Sequence, residues 1–380
     1  MMALSQAVAP SRRLRICFIV PAHWEAQMGG SQYQAKMLLE HIAETRAHDI
    51  FYLARRIPAE PRSRGYEIRQ IASDGRFRRY GEFLDTFELL ALLKEISPDV
   101  IYQRVGCAYT GVAAYYARKR HKRCVWHVAS DRDVTPLRTR FTRHSAFTFI
   151  DKRLVEYGLR NVDAIVTQTH RQAEYLWRHY KREPQAVIPN YHPLTPDGGD
   201  KSGPTKVVWV ANLKPVKQPE LFLQLARDLA ALKDVELIMI GKPMGRADWN
   251  GQIEAEASRL ANLKYLGEQP QEVVDAILRD AHVFVNTSTT EGFPNTFIQS
   301  WLHSVPVVSL CVNPDGLFDD GRIGICAGTY SKLKEHLVEL ISNPQRRERM
   351  GEDARRHAAA TYTNKANLER LAEILIGVQA

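Results

Sequence analysis

Short apolar runs alternate with helix-type patterns along this 380-residue chain, and the whole alternation is played through twice. Each run is brief, unbroken and rich in β-branched residues, the signature of parallel strands buried on both faces. In the first half the expected strands are Arg15–Val20, Ile50–Ala54, Tyr66–Ile71, Val100–Gln103, Cys124–Ala129 and Ala164–Thr167. Helices are expected over Ser31–Glu44, Phe83–Ile96 and Gly111–Arg120. The second half restarts with strands at Val207–Val210, Val235–Ile240, Lys264–Leu266, Val283–Asn286 and Val305–Leu310. Its helices fall at Pro219–Leu232, Pro270–Arg279, Pro294–His303 and Tyr330–Ile341. Repeated βα units of this kind predict an α/β chain of two Rossmann-like, doubly wound domains. A single core does not stretch comfortably over 380 residues, which points the same way. The turn-rich stretch from Pro189-Asn190-Tyr191-His192-Pro193 to Pro196-Asp197-Gly198-Gly199-Asp200 reads as the connection.

Hydrophobic and charged contents of 44% and 25% are those of a globular protein, and no apolar run approaches the roughly 20 residues of a membrane helix. Ser11-Arg12-Arg13-Leu14 resembles a twin-arginine export signal, but the apolar stretch behind it ends at Pro21, so a first strand is expected instead. Cys17, Cys107, Cys124, Cys311 and Cys326 are scattered without a C-x-x-C, which predicts free thiols and a reduced, cytoplasmic setting. Asn286-Thr287-Ser288 matches a glycosylation sequon but sits at the end of an apolar strand, and is set aside. The sequence contains no P-loop, G-x-G-x-x-G, H-E-x-x-H or zinc-type cysteine spacing, which argues against the common NTPase, dehydrogenase and metalloprotease readings.

Charge is unevenly placed. Residues 1–190 hold 31 Lys and Arg against 19 Asp and Glu, a net of +12; the remainder holds 21 against 24, a net of −3. Basic stretches at Arg55-Arg56, Arg76–Arg79, Arg118–Arg123 and Arg138–Arg143 all lie in the first half. They predict an acidic partner there, anionic lipid or a phosphorylated substrate, with docking on an anionic membrane as the working expectation and solvated helix faces as its equal alternative. Nucleic acid is not expected, because the basic runs lack interleaved aromatics.

The richest segment is Glu291-Gly292-Phe293-Pro294-Asn295-Thr296-Phe297-Ile298-Gln299, which follows a strand and opens a helix at Pro294. Amides at a helix start carry the positive end of the dipole and suit a phosphate. Glu291 just before them can accept hydrogen bonds from sugar hydroxyls, and Gln299 further along the helix can reach a ribose. The segment therefore suits a molecule with a sugar, phosphates and a ribose in line.

This segment resembles glycosyltransferase family 4, a group of retaining enzymes with the GT-B fold, whose motif is E-G-F-P-x-x-x-x-E; here Gln299 replaces the second glutamate. The resemblance extends to Gly29-Gly30-Ser31, Pro98–Arg104, Val187-Ile188-Pro189-Asn190 and Val207–Lys217. It implies two domains facing across a cleft: an acceptor-binding domain of residues 1–195, with a C-terminal helix in 364–380 packing back on it, and a nucleotide-sugar domain of residues 196–363. It also implies that Glu291 contacts the donor sugar and that the segment Gly292, Phe293, Pro294, Asn295 and Thr296 lies along the diphosphate. Gln299 takes the ribose, and Lys217 takes the phosphates. The family's arginine position is occupied by Asn212, with Lys214 as a substitute cation. Gly29 and Gly30 allow a close backbone approach to the phosphate, Ser31 being the expected N-cap. His127, at its strand end, corresponds to a histidine directed at the transferred sugar, or else is a satisfied core histidine.

The expected activity is retaining transfer of a sugar from a nucleotide-diphosphate sugar to a glycan or lipid-linked acceptor, in polysaccharide or glycoconjugate synthesis, with no cofactor and no metal. Asp131-Arg132-Asp133 has the D-x-D form of a divalent-metal site, but is expected to be a loop-side pair. Two alternatives stand beside this: a nucleotide-sugar epimerase of the same fold, and a non-catalytic nucleotide-sugar-binding homologue.

Overall fold

The computed structural model describes residues 12–62, 65–72, 81–136, 146–196 and 198–377. The chain divides into two compact units, one comprising residues up to Tyr191 together with those from Lys365 onward, the other His192–Asn364. The basic stretches Arg76–Arg79 and Arg138–Arg143 lie outside the described residues.

The first unit holds a seven-stranded, wholly parallel sheet in the order β3-β2-β1-β4-β5-β6-β7, made of β1 (Arg15–Ile19), β2 (Asp49–Ala54), β3 (Glu67–Gln70), β4 (Val100–Arg104), β5 (Arg123–His127), β6 (Ala164–Thr167) and β7 (Ala186–Val187). Its helices are α1 (Gly30–Glu44), α2 (Thr86–Ile96), α3 (Ala108–Arg120), α4 (Ala146–Asn161), α5 (His170–Tyr180) and, from the chain's end, α12 (Ala366–Ile376). Successive β1 side chains serve opposite faces, as the period of two demands. Ile16 and Phe18 join α1 and α12 in one core; Cys17 and Ile19 join α2, α3 and α5 in the other. Arg123 fastens α12 by donating from Nε and a terminal nitrogen to the Ile374 carbonyl, at 3.1 and 2.8 Å.

Helices α3 and α4 cross almost backbone to backbone. A Cβ on Gly111 would lie 2.3 Å from the Leu154 carbonyl oxygen, and one on Gly158 would lie 2.6 Å from that of Thr110. Only glycine fits either position, and the pair brings α4 onto the layer beneath.

The second unit holds a six-stranded parallel sheet in the order β10-β9-β8-β11-β12-β13, from β8 (Thr205–Val210), β9 (Val235–Ile240), β10 (Leu263–Tyr265), β11 (Val283–Asn286), β12 (Val307–Ser309) and β13 (Gly324–Cys326). Helices α6 (Pro219–Asp228), α7 (Ala247–Ala257) and α10 (Tyr330–Ser342) cover one face. Helices α8 (Gln271–Arg279), α9 (Asn295–Leu302) and α11 (Pro344–Tyr362) cover the other. Both units are thus doubly wound, and loops at the carboxyl ends of the strands are where such sheets present ligand-binding groups.

Two local expectations are corrected. The helix after β1 starts one residue earlier than expected: Gly29, in extended conformation, is its N-cap, and Ser31 lies inside the first turn. The helix of the E-G-F-P segment begins at Asn295, with Pro294 as the N-cap. All five cysteines are free thiols: Cys17, Cys107 and Cys124 are buried, Cys326 is half-buried and Cys311 is exposed. Among the described residues no helix is long and apolar enough to cross a membrane.

Candidate functional site

In the second unit, the loop after β8 and the loop after β11 are stitched together, and this places Lys217 and Glu291 in contact. The Thr287 hydroxyl donates to the Lys217 carbonyl at 2.6 Å and accepts from the Trp209 indole at 2.9 Å. Two residues on, the Thr289 amide donates to the Val216 carbonyl at 3.0 Å. Lys217 ends a short 3-10 turn, Pro215–Lys217, whose exit residue Gln218 adopts a left-handed φ of 46°. The consequence is a 2.6 Å ion pair between Lys217 Nζ and Glu291 Oε2, with both side chains mostly buried. The other carboxylate oxygen accepts from the Ser288 hydroxyl at 2.6 Å and from the Asn286 amide at 2.9 Å.

Burial alone would raise the Glu291 carboxyl. The Lys217 charge and hydrogen bond, with those of Ser288 and Asn286, outweigh it and hold Glu291 below its ordinary value. Glu291 therefore stays ionised at neutral pH. In sequence it lies four residues before the start of α9, whose first turn contains no acidic side chain and has no side-chain cap. A carboxylate, an ammonium and the positive end of a helix dipole are thus gathered within one pair of loops. Asn286 and Ser288 are residues that the sequence offered only as a sequon; the structure buries both and uses them to hold Glu291.

The remaining second-unit candidates divide by role. The Phe293 ring faces inward, packing on Trp301 and Tyr362, so this residue offers a ligand its backbone alone. Pro294 has no N–H, which removes one of the amides expected to line a diphosphate. Gly292 and Thr296 are half-buried; Asn295 pairs through its side-chain oxygen with the buried His192 ring at 3.1 Å. His192 was not anticipated; burial, only partly offset by the Asn295 contact, pushes its pKa down to about 4, so it is neutral. Gln299 is buried on α9, and Asn212 and Lys214 are half-buried in the loop after β8, the Lys214 carbonyl accepting from the Lys217 amide at 2.8 Å.

In the first unit, Gly29 and Gly30 open α1. The Gly29 φ of −161° is open to any residue, so its lack of a side chain answers no backbone strain; a Cβ there would only meet the Gln32 side chain. His127 ends β5 with 3% exposure, and its Nδ1 is contacted by the Arg104 guanidinium at 2.6 Å and the Tyr102 hydroxyl at 2.8 Å. Burial and the neighbouring Arg104 charge hold the imidazole well below its ordinary pKa. Arg104 ends β4 with 1% exposure and also donates to Asn190 Oδ1 at 3.2 Å. The next residue, Val105, takes φ 78°, a conformation that costs a β-branched residue about 1–3 kcal/mol. The Gln103 amide holds it there, donating to the Arg104 and Val105 carbonyls at 2.9 and 2.7 Å.

The D-x-D carboxylates are committed to the protein. Asp133 accepts from the Ala129 and Ser130 amides at 2.9 and 3.1 Å, and Asp131 meets the Gln172 amide at 3.2 Å and Arg171 at 3.5 Å. Among the described residues no three His, Cys, Asp or Glu side chains gather where a metal ion could sit. The basic stretches are likewise partly spent. Arg55 is buried on Asp85, Lys122 pairs with Asp99 at 2.9 Å, and Arg123 holds α12. Arg118, Lys119 and Arg120 remain exposed on α3.

Two family models divide the chain between them: "Glycosyltransferase Family 4" matches residues 28–193, and "Glycosyl transferases group 1" matches residues 195–357. Among characterised relatives is a GDP-mannose-dependent monoacylated alpha-(1-6)-phosphatidylinositol monomannoside mannosyltransferase from Corynebacterium glutamicum. It is 25% identical over 213 residues, covering 50% of this chain and 53% of its own. A D-inositol 3-phosphate glycosyltransferase from Corynebacterium diphtheriae is 24% identical over 250 residues, covering 59% and 58%. The chain thus spans little more than half the length of these relatives. Among solved structures, Anabaena HepE in complex with UDP and glucose superposes with a TM-score of 0.74 at 15% identity, covering 96% of this chain and 100% of that one. WaaG, a glycosyltransferase involved in lipopolysaccharide biosynthesis, gives 0.75 at 15% identity, covering 95% and 100%. Fold, motif and both family models agree: the chain belongs to the family 4 type of glycosyltransferases and has the GT-B fold.

Proposed function

We propose that the chain is a retaining, metal-independent hexosyltransferase that moves a sugar from a nucleotide-diphosphate sugar to a glycan or lipid-linked acceptor. The observation that carries this reading is the Lys217–Glu291 pair, its glutamate in the loop that leads into the uncapped start of α9. An ammonium and helix-start amides suit a diphosphate, whose negative charge grows as the glycosidic bond breaks, and stabilisation of that developing charge lowers the barrier. An ionised carboxylate at the same place suits the hydroxyls of the sugar. Names of the relatives support the substrate class, since one is GDP-mannose-dependent and HepE was solved with UDP and glucose. Use of both D-x-D carboxylates by the protein's own groups supports independence from a metal.

The same reading gives the first unit the acceptor and an anionic membrane as its resting surface. Phe87 is 83% exposed on α2, Tyr115 on α3, Phe147, Ile150 and Tyr157 on α4 and Trp177 on α5 are also exposed, and Lys119, Arg120 and Arg153 are cations on those helices. Exposed aromatics with interspersed cations suit the headgroup region of a bilayer. Co-sedimentation with phosphatidylglycerol vesicles, reduced by Phe87→Ser with Trp177→Ser, tests this; binding unaffected by that pair sinks it.

The assay for the catalytic claim is release of nucleoside diphosphate from matched nucleotide sugars, with and without a membrane extract as acceptor. Acceptor-dependent release, abolished by Glu291→Ala, is expected. An epimerised sugar formed from donor alone would instead establish the epimerase reading.

A further inference from the structure

His127 carries a chemical constraint that its position alone does not reveal. A guanidinium has five N–H donors and no acceptor, and it remains protonated in proteins. The 2.6 Å contact from an Arg104 terminal nitrogen to His127 Nδ1 therefore requires a lone pair on Nδ1. The Tyr102 hydroxyl, 2.8 Å from the same nitrogen and 3.3 Å from Arg104, completes the cluster. With Nδ1 unprotonated, the neutral ring must hold its proton on Nε2. That atom is buried and has no hydrogen-bond partner among the described residues. Arg104 Nε and Trp126 Nε1 are likewise buried without a partner, but Nε2 is the atom whose proton the Arg104 contact fixes in place, and a buried donor costs free energy until an acceptor reaches it.

We propose that Arg104 is a positioning residue that fixes His127 as the neutral Nε2–H tautomer, so that His127 serves a bound sugar as a hydrogen-bond donor and never as a base. The surroundings are built for this. Asn190 accepts from the second terminal nitrogen of Arg104 and so sets the guanidinium plane. The strained turn at Val105, pinned by Gln103 and through it by Thr110, fixes where β4 delivers the side chain. Protonating the imidazole would set a second cation against Arg104, with Tyr102 and Asn190 the neutral groups beside it, so the ring is held in one charge state as well as one tautomer. The ligand class is an uncharged oxygen acceptor, a sugar hydroxyl or ring oxygen. That part rests on the transferase reading; the tautomer does not.

The test is long-range nitrogen–proton NMR of the full chain labelled with nitrogen-15 histidine, with the His127 signals identified by their loss in His127→Gln. A pyridine-type Nδ1 and a pyrrole-type Nε2, unchanged from about pH 6 to 8, are expected. The reverse tautomer or a charged ring would overturn the proposal. In Arg104→Met the two tautomers should mix, and an unchanged spectrum would count against Arg104 as the cause. Should Arg104→Met fail to fold, Arg104→Lys, which keeps a cationic N–H donor and no acceptor, should retain the wild-type tautomer; loss of it would refute the donor argument. For turnover, the amide introduced by His127→Gln can still donate where Nε2 did. That variant should therefore stay within about tenfold of wild type while His127→Ala falls further; equal collapse of both would restore the base role. The expected tautomer in a protein that turns over no nucleotide sugar would remove the transferase reading and leave the role of Arg104 standing.

Discussion

Replacing Lys217 by methionine isolates the charge at the centre of the second unit while keeping most of the side chain's length. At 2.6 Å, the direct attraction between Lys217 and Glu291 is about 6 kcal/mol at an effective dielectric of about 20. Removing two mostly buried ions from water cancels the larger part, leaving a net coupling of about 2 kcal/mol. For a unit of this size that corresponds to a fall in Tm of about 4–8 °C at pH 7.

The pH dependence is the sharper consequence. In the wild type, Glu291 lies below its ordinary value of 4.5, so its stabilising contribution is fully present above that value and is lost as the pH falls through the lowered pKa. In Lys217→Met burial dominates and the Glu291 pKa rises, so the carboxylate costs stability at neutral pH and the cost disappears as acid protonates it. The stability gap between the two proteins should therefore narrow from pH 7 to about pH 4. Thermal unfolding of wild type, Lys217→Met, Glu291→Gln and the double variant at both pH values gives the coupling directly. A coupling below about 0.5 kcal/mol, or a gap that does not change with pH, would show that the Lys217 charge does not hold Glu291 ionised.

Gln299→Glu restores a charged acceptor on α9 and should tighten nucleotide-sugar binding by about fivefold in titration calorimetry; unchanged or weaker binding would show that the ribose is held elsewhere. Gly111→Ala should cost about 2–3 kcal/mol in urea unfolding, because its Cβ would press on the Leu154 carbonyl where backbone meets backbone. Asp133→Asn should lower stability by about 1–2 kcal/mol by weakening the caps on the Ala129 and Ser130 amides. EDTA should leave turnover of the wild type unchanged, whereas loss with EDTA and recovery with a divalent ion would reverse the assignment of the D-x-D pair.

The strands were legible wherever burial on both faces left an unbroken apolar run; Val283–Asn286 and Val235–Ile240 fall within the expected residues. The E-G-F-P segment was legible as a helix start because its turn chemistry is local. Helix α11 was missed because its core side is thinly marked. Met350, Ala354, Ala358 and Tyr362 recur every four residues among charges, a spacing readable only once the neighbouring core is known. Helix α4 was missed for a related reason, since its docking depends on glycines that let two backbones touch, and glycine leaves no hydropathy signal. Strand β7 has two residues, too few for any pattern. At the site, Lys217 and Glu291 were each legible by type, but their contact depends on Thr287 and Thr289 bridging loops some 70 residues apart. Arg104 was invisible as a site residue because an arginine at a strand end reads as exposed. Its burial is decided by His127 and Asn190, neither of them near it in sequence.

A thermal-shift panel of the full chain with UDP-, GDP-, ADP- and dTDP-sugars tests whether the second unit holds a nucleotide-sugar donor. At about 100-fold over Kd, a bound donor adds about 2.7 kcal/mol of stability. Sugars of one base should stabilise the chain, and the effect should be lost in Glu291→Ala and in Lys217→Ala. No stabilisation by any of them, or stabilisation that survives both substitutions, would contradict a donor site built on the Lys217–Glu291 pair.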